Sequence, residues 1–278
     1  MPELPEVTTI VNDLCASNLI GACIKQVEVF WPRSIATHNI EDFSTILLRQ
    51  QIKDITRRGK FIVFSLDKDT LLVHLRMTGK FVLPNSKLER TPYERVRLYL
   101  DNGQILHYDD QRKFGKWYLL AKPEQHLDLL GIEPLSKDFT LQVLETLLKK
   151  SKQQIKSFLL NQKYIAGLGN IYVDEALWLA QIHPSQPASS CNSTQVSALH
   201  AAIIKVLKQG IARMGTSLGS KQANYATVSG QRGDNQAHLQ VFRRQGEACY
   251  RCTTAIIKIK ISQRGTHLCP QCQPYFSP

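Results

Sequence analysis

Two Cys-x-x-Cys pairs constrain this chain more than any other feature. Cys249-Tyr250-Arg251-Cys252 and Cys269-Pro270-Gln271-Cys272 are separated by sixteen residues. Each pair puts two thiolates on one tight turn, and two such turns close a tetrahedral site. Four thiolates leave no coordination position open, so the spacing predicts one structural Zn2+ ion and no catalytic metal; a redox dithiol is the alternative. Between the pairs, residues 255–262 and 266–268 read as two strands turning at Gln263-Arg264-Gly265. Arg264 is thus expected at the tip of a metal-stapled hairpin, where a guanidinium can clamp a phosphate. Arg243, Arg244, Arg251, Lys258 and Lys260 surround it, against Glu247 alone. A solvated basic face accounts for the two lysines equally well.

The charge balance points the same way. The 278 residues carry a formal net charge of +12, which favours a polyanionic partner because each phosphate contact releases condensed counterions. No apolar run approaches the ~18 residues of a membrane span, and no signal-peptide pattern precedes the first helical pattern. The expectation is a cytoplasmic, nucleoid-associated protein. In that setting the 7 cysteines suggest metal ligation before disulfides. Cys15, Cys23 and Cys191 stand apart from the pairs and are expected to pack.

Hydrophobic periodicity divides the chain. Residues 3–20 place Leu4, Val7, Ile10, Val11 and Leu14 at helical spacing, with Gly21 as the stop. Short β-rich runs follow at 24–30, 60–66, 70–75, 96–100, 104–108 and 116–120. Asp101-Asn102-Gly103 is a hairpin signal, and 67–69 a looser one. Helical patterns return at 140–150, 152–161, 170–181 and 194–213. These runs predict an α+β chain in four parts: an N-terminal β-sandwich domain with one starting helix (1–122), a Pro- and Gly-bearing linker (123–137), a helical domain (138–243) and the cysteine hairpin (244–278). Residues 215–236, rich in Gly, Ser, Asn and Gln, are expected to form a long mobile loop within the helical part.

The first residues, Met1-Pro2-Glu3-Leu4-Pro5-Glu6, permit unusual chemistry. Pro2 is small enough that Met1 removal is expected, which would expose a secondary α-amine. Such an amine titrates near ~7.7–8.0 and is partly neutral at pH 7. Its attack on a sugar C1′ gives an iminium, an electron sink like that of a lysine Schiff base. Glu3 and Glu6 lie close enough to serve as acid and base. An ordinary helix start, with Pro and acids in the first turn, uses the same residues.

Asn161–Asn170, with Gly167 and Gly169, reads as a helix–turn–helix corner. Asn170 is expected to cap the following helix, whose free N–H groups suit a phosphate. Glu175, one turn later, is either exposed or hydrogen-bonded in a way that locks the turn.

The PELPEV start, the GLGNIYVDEALWLAQIHP segment and the CYRC…ISQRGTHLCPQC finger together resemble the bacterial formamidopyrimidine-DNA glycosylase family, essentially from end to end. The resemblance implies a β-sandwich, a helix-two-turn-helix domain and a zinc finger. It implies removal of oxidised purines (8-oxoguanine and formamidopyrimidines) from duplex DNA, followed by β,δ-elimination at the abasic site. Pro2 would be the Schiff-base nucleophile and Glu3 the proton donor. Glu6 would be an acid near the site. Lys60 and Arg264 would be proton donors and phosphate contacts. His74, Lys163 and Asn170 would touch DNA. Met77, Arg112 and Phe114 would fill the gap left by an extruded base, which costs a few kcal/mol to unstack. Without the resemblance, Met77 and Phe114 read equally well as core and Arg112 as a surface residue. Loop 215–236 would shape the base pocket, with Tyr225 a candidate lining residue. The family usually has Gly after the second cysteine, where this chain has Thr253. An oxidised-pyrimidine glycosylase of the endonuclease VIII type and a non-catalytic zinc-finger DNA-binding protein are the competing readings. A monomer is the default.

Overall fold

In a computed structural model describing residues 1–84, 89–219 and 225–275, the first helix is built by its own cap. Glu3 stands extended at the N-cap, Pro5 lies in the first turn, and Glu6 reaches back to the Glu3 amide, so α1 runs Leu4–Ala16. Its stripe of Leu4, Val7, Ile10, Val11 and Leu14 is buried.

Eight strands follow: β1 (Ile24–Val29), β2 (Ile52–Arg58), β3 (Phe61–Leu66), β4 (Thr70–His74), β5 (Gly79–Val82), β6 (Glu94–Leu100), β7 (Ile105–Asp110) and β8 (Lys116–Leu120), with helix α2 (Ile40–Leu47) after β1. They form two antiparallel four-stranded sheets, in the orders β1-β6-β7-β5 and β2-β3-β4-β8. Residues of both sheets share one core. Phe81 of the first packs on Phe64 and Trp117 of the second, with ring centroids 5.8 and 5.7 Å apart. The turns at 67–69 and 101–103 are where the sequence placed them.

Two strands and one α-helix among the described residues of this half were not anticipated. In β2 the register shifts between Ile52 and Asp54, so Ile52 and Ile55 are both buried although three residues apart. That spacing hides the two-residue alternation of a strand. β5 is a four-residue edge strand with Phe81 as its only buried large side chain. α2 carried a readable signal: the Asn39 side chain accepts from the Asp42 amide, and Phe43 and Leu47 are buried at i, i+4.

The chain divides into two compact units. One is Met1–Asp128 with Arg213–Gln236; the other is Leu129–Ala212 with Ala237–Pro278. Loop 215–236, expected within the helical domain, belongs by its contacts to the sandwich unit. Its described residues are tied to α1: Glu6 Oε1 accepts from the Thr216 amide at 2.7 Å and Asp13 Oδ2 from the Val228 amide at 3.0 Å. The expected mobility of its residues 220–224 lies outside the described residues. The expected linker carries a one-turn helix, α3 (Glu124–Leu127).

The second unit holds α4 (Leu141–Lys149), α5 (Ile155–Leu160), α6 (Asn170–Leu179) and α7 (Ser193–Ala212), then the hairpin β9 (Ile257–Ile261) and β10 (Arg264–Leu268). The hairpin turn is Ser262-Gln263, both left-handed at φ 44° and 62°. Arg264 is therefore the first residue of β10 and not the turn apex. A two-residue turn with both φ positive matches the strand twist, and that geometry moves the turn back by one residue. Among the described residues no helix is long and apolar enough to cross a membrane.

Candidate active site and nucleic-acid interface

At the start of α1, Pro2 and Glu3 are buried and Glu6 is 1 % exposed. Both Glu6 carboxylate oxygens are engaged by amides: Oε2 by Glu3 N–H at 2.8 Å and Oε1 by Thr216 N–H at 2.7 Å. Glu6 thus joins the residue beside Pro2 to the start of loop 215–236. Gly215, at φ +76°, makes this approach possible, because a Cβ there would lie 2.8 Å from Glu6 Cγ. Burial raises the phenol pKa of nearby Tyr225 well above its ordinary value.

Lys60 is buried in the tight turn that follows Gly59 and joins β2 to β3. His74 closes β4, in register with Phe61. The His74 Nδ1 accepts from the Arg76 amide at 3.0 Å, which leaves the proton on Nε2. Burial, with the charges of Arg76 and Lys60, pushes its pKa down to about 3. At neutral pH His74 is an uncharged N–H donor.

Met77, Arg112 and Phe114 come together. Met77 and Phe114 are 39 % and 49 % exposed, so neither belongs to the sandwich core. Arg112 Nη1 lies 2.9 Å from Met77 Sδ, and its guanidinium lies over the Phe114 ring at 4.9 Å. Beneath them Asp110 is fully buried. Its Oδ1 accepts from Thr78 Oγ1 (2.5 Å) and Arg112 N–H (3.2 Å), and its Oδ2 accepts from Gly115 N–H (2.7 Å). Large apolar groups held in solvent by a buried brace suit insertion between bases.

In the second unit, Gln162 holds the turn before α6. Its Nε2 donates to the Leu160 and Leu168 carbonyls and its Oε1 accepts from Gly167 N–H, all at 2.9 Å. Lys163 is exposed on this turn. Asn170 does not cap α6. Gly169 occupies the N-cap, and Asn170 Nδ2 donates to the Gly265 carbonyl at 3.0 Å. The same carbonyl accepts from Lys156 Nζ at 3.1 Å. Lys156 also bonds Asp174 Oδ1 at 2.6 Å, and Asp174 Oδ2 accepts from His267 N–H at 2.9 Å. This fully buried ion pair seats β10, and with it the exposed Arg264, on α5 and α6. Neither Lys156 nor Asp174 was singled out in the sequence, because a lysine in a helical run looks solvated. Glu175 is buried and not exposed, and the segment it holds is not the turn before α6: it accepts from the amides of Gln240, Val241 and Phe242 at 2.8–3.0 Å.

The four paired cysteines place their sulfurs within 4.8 Å of one another. Cys249 and Cys272 are 3.9 Å apart, and Cys252 and Cys269 3.3 Å. Sulfurs at ~2.3 Å from a tetrahedral zinc are about 3.8 Å apart, so the set fits the ion. The Arg251 and Cys272 amides donate to the Cys249 and Cys269 sulfurs, each at 3.4 Å, as thiolate ligands require. Thr253 is left-handed at φ 62°, the conformation in which the family's Gly is unstrained.

Comparison with known proteins agrees with this architecture. Residues 1–117 match the formamidopyrimidine-DNA glycosylase N-terminal domain, 130–222 its H2TH domain, and 246–274 the zinc finger found in FPG and IleRS. The chain belongs to the formamidopyrimidine-DNA glycosylase family. It is 45 % identical to the formamidopyrimidine-DNA glycosylase of Protochlamydia amoebophila, over 98 % of this chain and 99 % of that protein. Among solved structures it resembles a Lactococcus lactis FPG mutant complexed with Fapy-dG-containing DNA, at 37 % identity and TM-score 0.91, covering 99 % of this chain and 100 % of that one. It also resembles MutM bound to DNA containing carbocyclic 8-oxo-G, at 38 % identity and TM-score 0.90, with the same coverage.

Proposed function

We propose that this chain is a base-excision-repair DNA glycosylase and AP lyase acting on oxidised purines in duplex DNA, as a cytoplasmic monomer with one structural zinc. The observation that carries the reading is the buried placement of Pro2 and Glu3 ahead of α1, where Glu6 ties the Glu3 amide to the start of loop 215–236.

After Met1 is removed, the neutral Pro2 nitrogen attacks C1′ while Glu3 delivers a proton to the sugar ring oxygen. The C1′–N bond to the damaged base breaks, and the base leaves with its electron pair. Loss of the Pro2 proton and cleavage of the ring C1′–O4′ bond, whose oxygen departs with the proton from Glu3, give an iminium that acidifies the C2′ hydrogens. Their removal expels the 3′ phosphate, and a second elimination expels the 5′ phosphate. Glu6, with both oxygens on amides, is an anchor and not a free base. Lys60, the neutral His74 N–H, Lys163, Asn170 and Arg264 take phosphates, with Lys60 and Arg264 also supplying protons to leaving groups. Met77, Arg112 and Phe114 fill the vacated stack, and Arg112 can hydrogen-bond the widowed base. The zinc holds the finger and takes no part in bond breaking.

The test is borohydride trapping on duplexes carrying 8-oxoguanine opposite cytosine, or thymine glycol, using protein shown by mass to lack Met1. A covalent adduct that prefers the purine lesion and disappears in Pro2→Gly is expected. Full trapping by protein that retains Met1 would rule out the proline nucleophile.

A further inference from the structure

Two adjacent arginines precede the finger, and the fold treats them in opposite ways. Arg244 is consumed internally. It donates to the Gln240 carbonyl (2.6 Å), the Ala248 carbonyl (2.9 Å) and Glu247 (2.8 Å), and lies over the Tyr250 ring at 3.6 Å. Arg243 is exposed, and its guanidinium has no hydrogen bond or ion pair among the described residues. Its backbone is left-handed at φ 62°, a conformation that costs a non-glycine residue roughly 1–2 kcal/mol.

The left-handed turn at Arg243 follows directly on the segment whose Gln240, Val241 and Phe242 amides are gathered by the Glu175 carboxylate. Arg243 lines a groove of about 560 Å3 together with Asn170, Phe242, Gln245, Lys258, Gly265 and His267. Lys258 extends across Gly265, its Cε 3.1 Å from where a Cβ would lie. Glu247, the nearby acid in sequence, is already paired with Arg244. Among the described residues of the finger, 244–275, no other acid stands against the cations that the groove gathers. A strained, unpaired arginine at such a place is a sign of function.

We propose that Arg243 is a DNA-phosphate contact of its own, added beside the Asn170 and Arg264 grips. This rests on the DNA-glycosylase reading above. The site takes a backbone phosphodiester and reads no base, so it contributes affinity without sequence preference.

The experiment compares wild type, Arg243→Gly and Arg243→Asn in the full chain. Binding to a duplex carrying a tetrahydrofuran abasic analogue is measured from 50 to 300 mM salt, alongside thermal midpoints. Both replacements tolerate the left-handed backbone, so midpoints should hold or rise. Affinity should fall about fivefold near 0.15 M salt, and the slope of log K against log salt should flatten by about 0.9, the signature of one lost phosphate. Unchanged affinity and slope in both variants would overturn the assignment. So would an affinity loss at unchanged slope, which would mark a structural effect. Failure of wild type itself to bind the duplex would instead remove the glycosylase reading on which the proposal stands.

Discussion

The loop carrying Arg112 and the hairpin carrying Arg264 solve one problem in two ways. Each presents an exposed arginine on a backbone tied down by buried hydrogen bonds. The Arg112 loop is braced by one buried carboxylate, Asp110, which accepts from three donors at the edge of a sandwich with a large core. The hairpin has a small core among the described residues, with Trp178, Val241, Ile256 and the partly buried Leu179 around the cysteines. There a metal site and the Lys156–Asp174 pair replace hydrophobic mass. The difference teaches that rigidity comes from whatever the local core can support: hydrogen bonds where burial is ample, metal–thiolate bonds where it is not.

The largest expected effect tests the metal half. Structural zinc in small fingers supplies roughly 10–16 kcal/mol of folding free energy. Stripping it with a strong chelator, or Cys269→Ser, should unfold residues beyond about 244 and remove measurable affinity for abasic-analogue duplex. The sandwich should keep its thermal transition. Zinc content, duplex binding and limited proteolysis report the three. A zinc-free protein that still binds tightly would show that the hairpin needs no staple, and the contrast would collapse.

The hydrogen-bonding half predicts a smaller, local effect. Asp110→Asn keeps the shape but offers an N–H to one side of a site that receives only donors. Charge-assisted hydrogen bonds contribute ~1.5–3 kcal/mol each, so a loss of about 2 kcal/mol of sandwich stability is expected, with zinc content unchanged. Base extrusion should slow, read by 2-aminopurine fluorescence opposite the lesion. A stable variant with normal extrusion would mean the loop is held by something other than Asp110.

Legibility in the sequence followed the same division. The zinc site was readable because two cysteine pairs at this spacing serve little chemistry besides closing a tetrahedral metal site. The sandwich was readable from alternation, except where the shift at Ile52–Asp54 put two core residues three apart and where β5 is too short to show a period. Met77, Arg112 and Phe114 were nameable through family resemblance alone; their exposure could not be read from a pattern that fits core equally well. Asp110, Gln162, Lys156 and Asp174 were not legible. Their importance lies in amides and carbonyls that only the folded backbone brings to them. Loop 215–236 was legible as a loop, but its attachment to α1 depends on Glu6 and Asp13, more than 200 positions away.

The smallest effect refines the comparison at the metal itself. In the first knuckle the Thr253 amide donates to the Cys249 carbonyl and the Cys249 amide to the Thr254 carbonyl, both at 2.9 Å. Closing that loop requires a left-handed residue, and the chain supplies a β-branched one at φ 62°. The strain of roughly 1–2 kcal/mol is offset in part by the Thr253 hydroxyl bonding the Cys252 carbonyl at 2.6 Å. Glycine would remove the strain but lose more backbone entropy on folding, by roughly 0.5–1 kcal/mol. Thr253→Gly should therefore stabilise the finger by only about 0.5 kcal/mol, read as a higher chelator concentration at half-loss of zinc. The Asp110 brace and the sandwich transition should not change. A finger made weaker by glycine would mean that the hydroxyl bond outweighs the backbone strain, and that this knuckle is held by its side chain as much as by its metal.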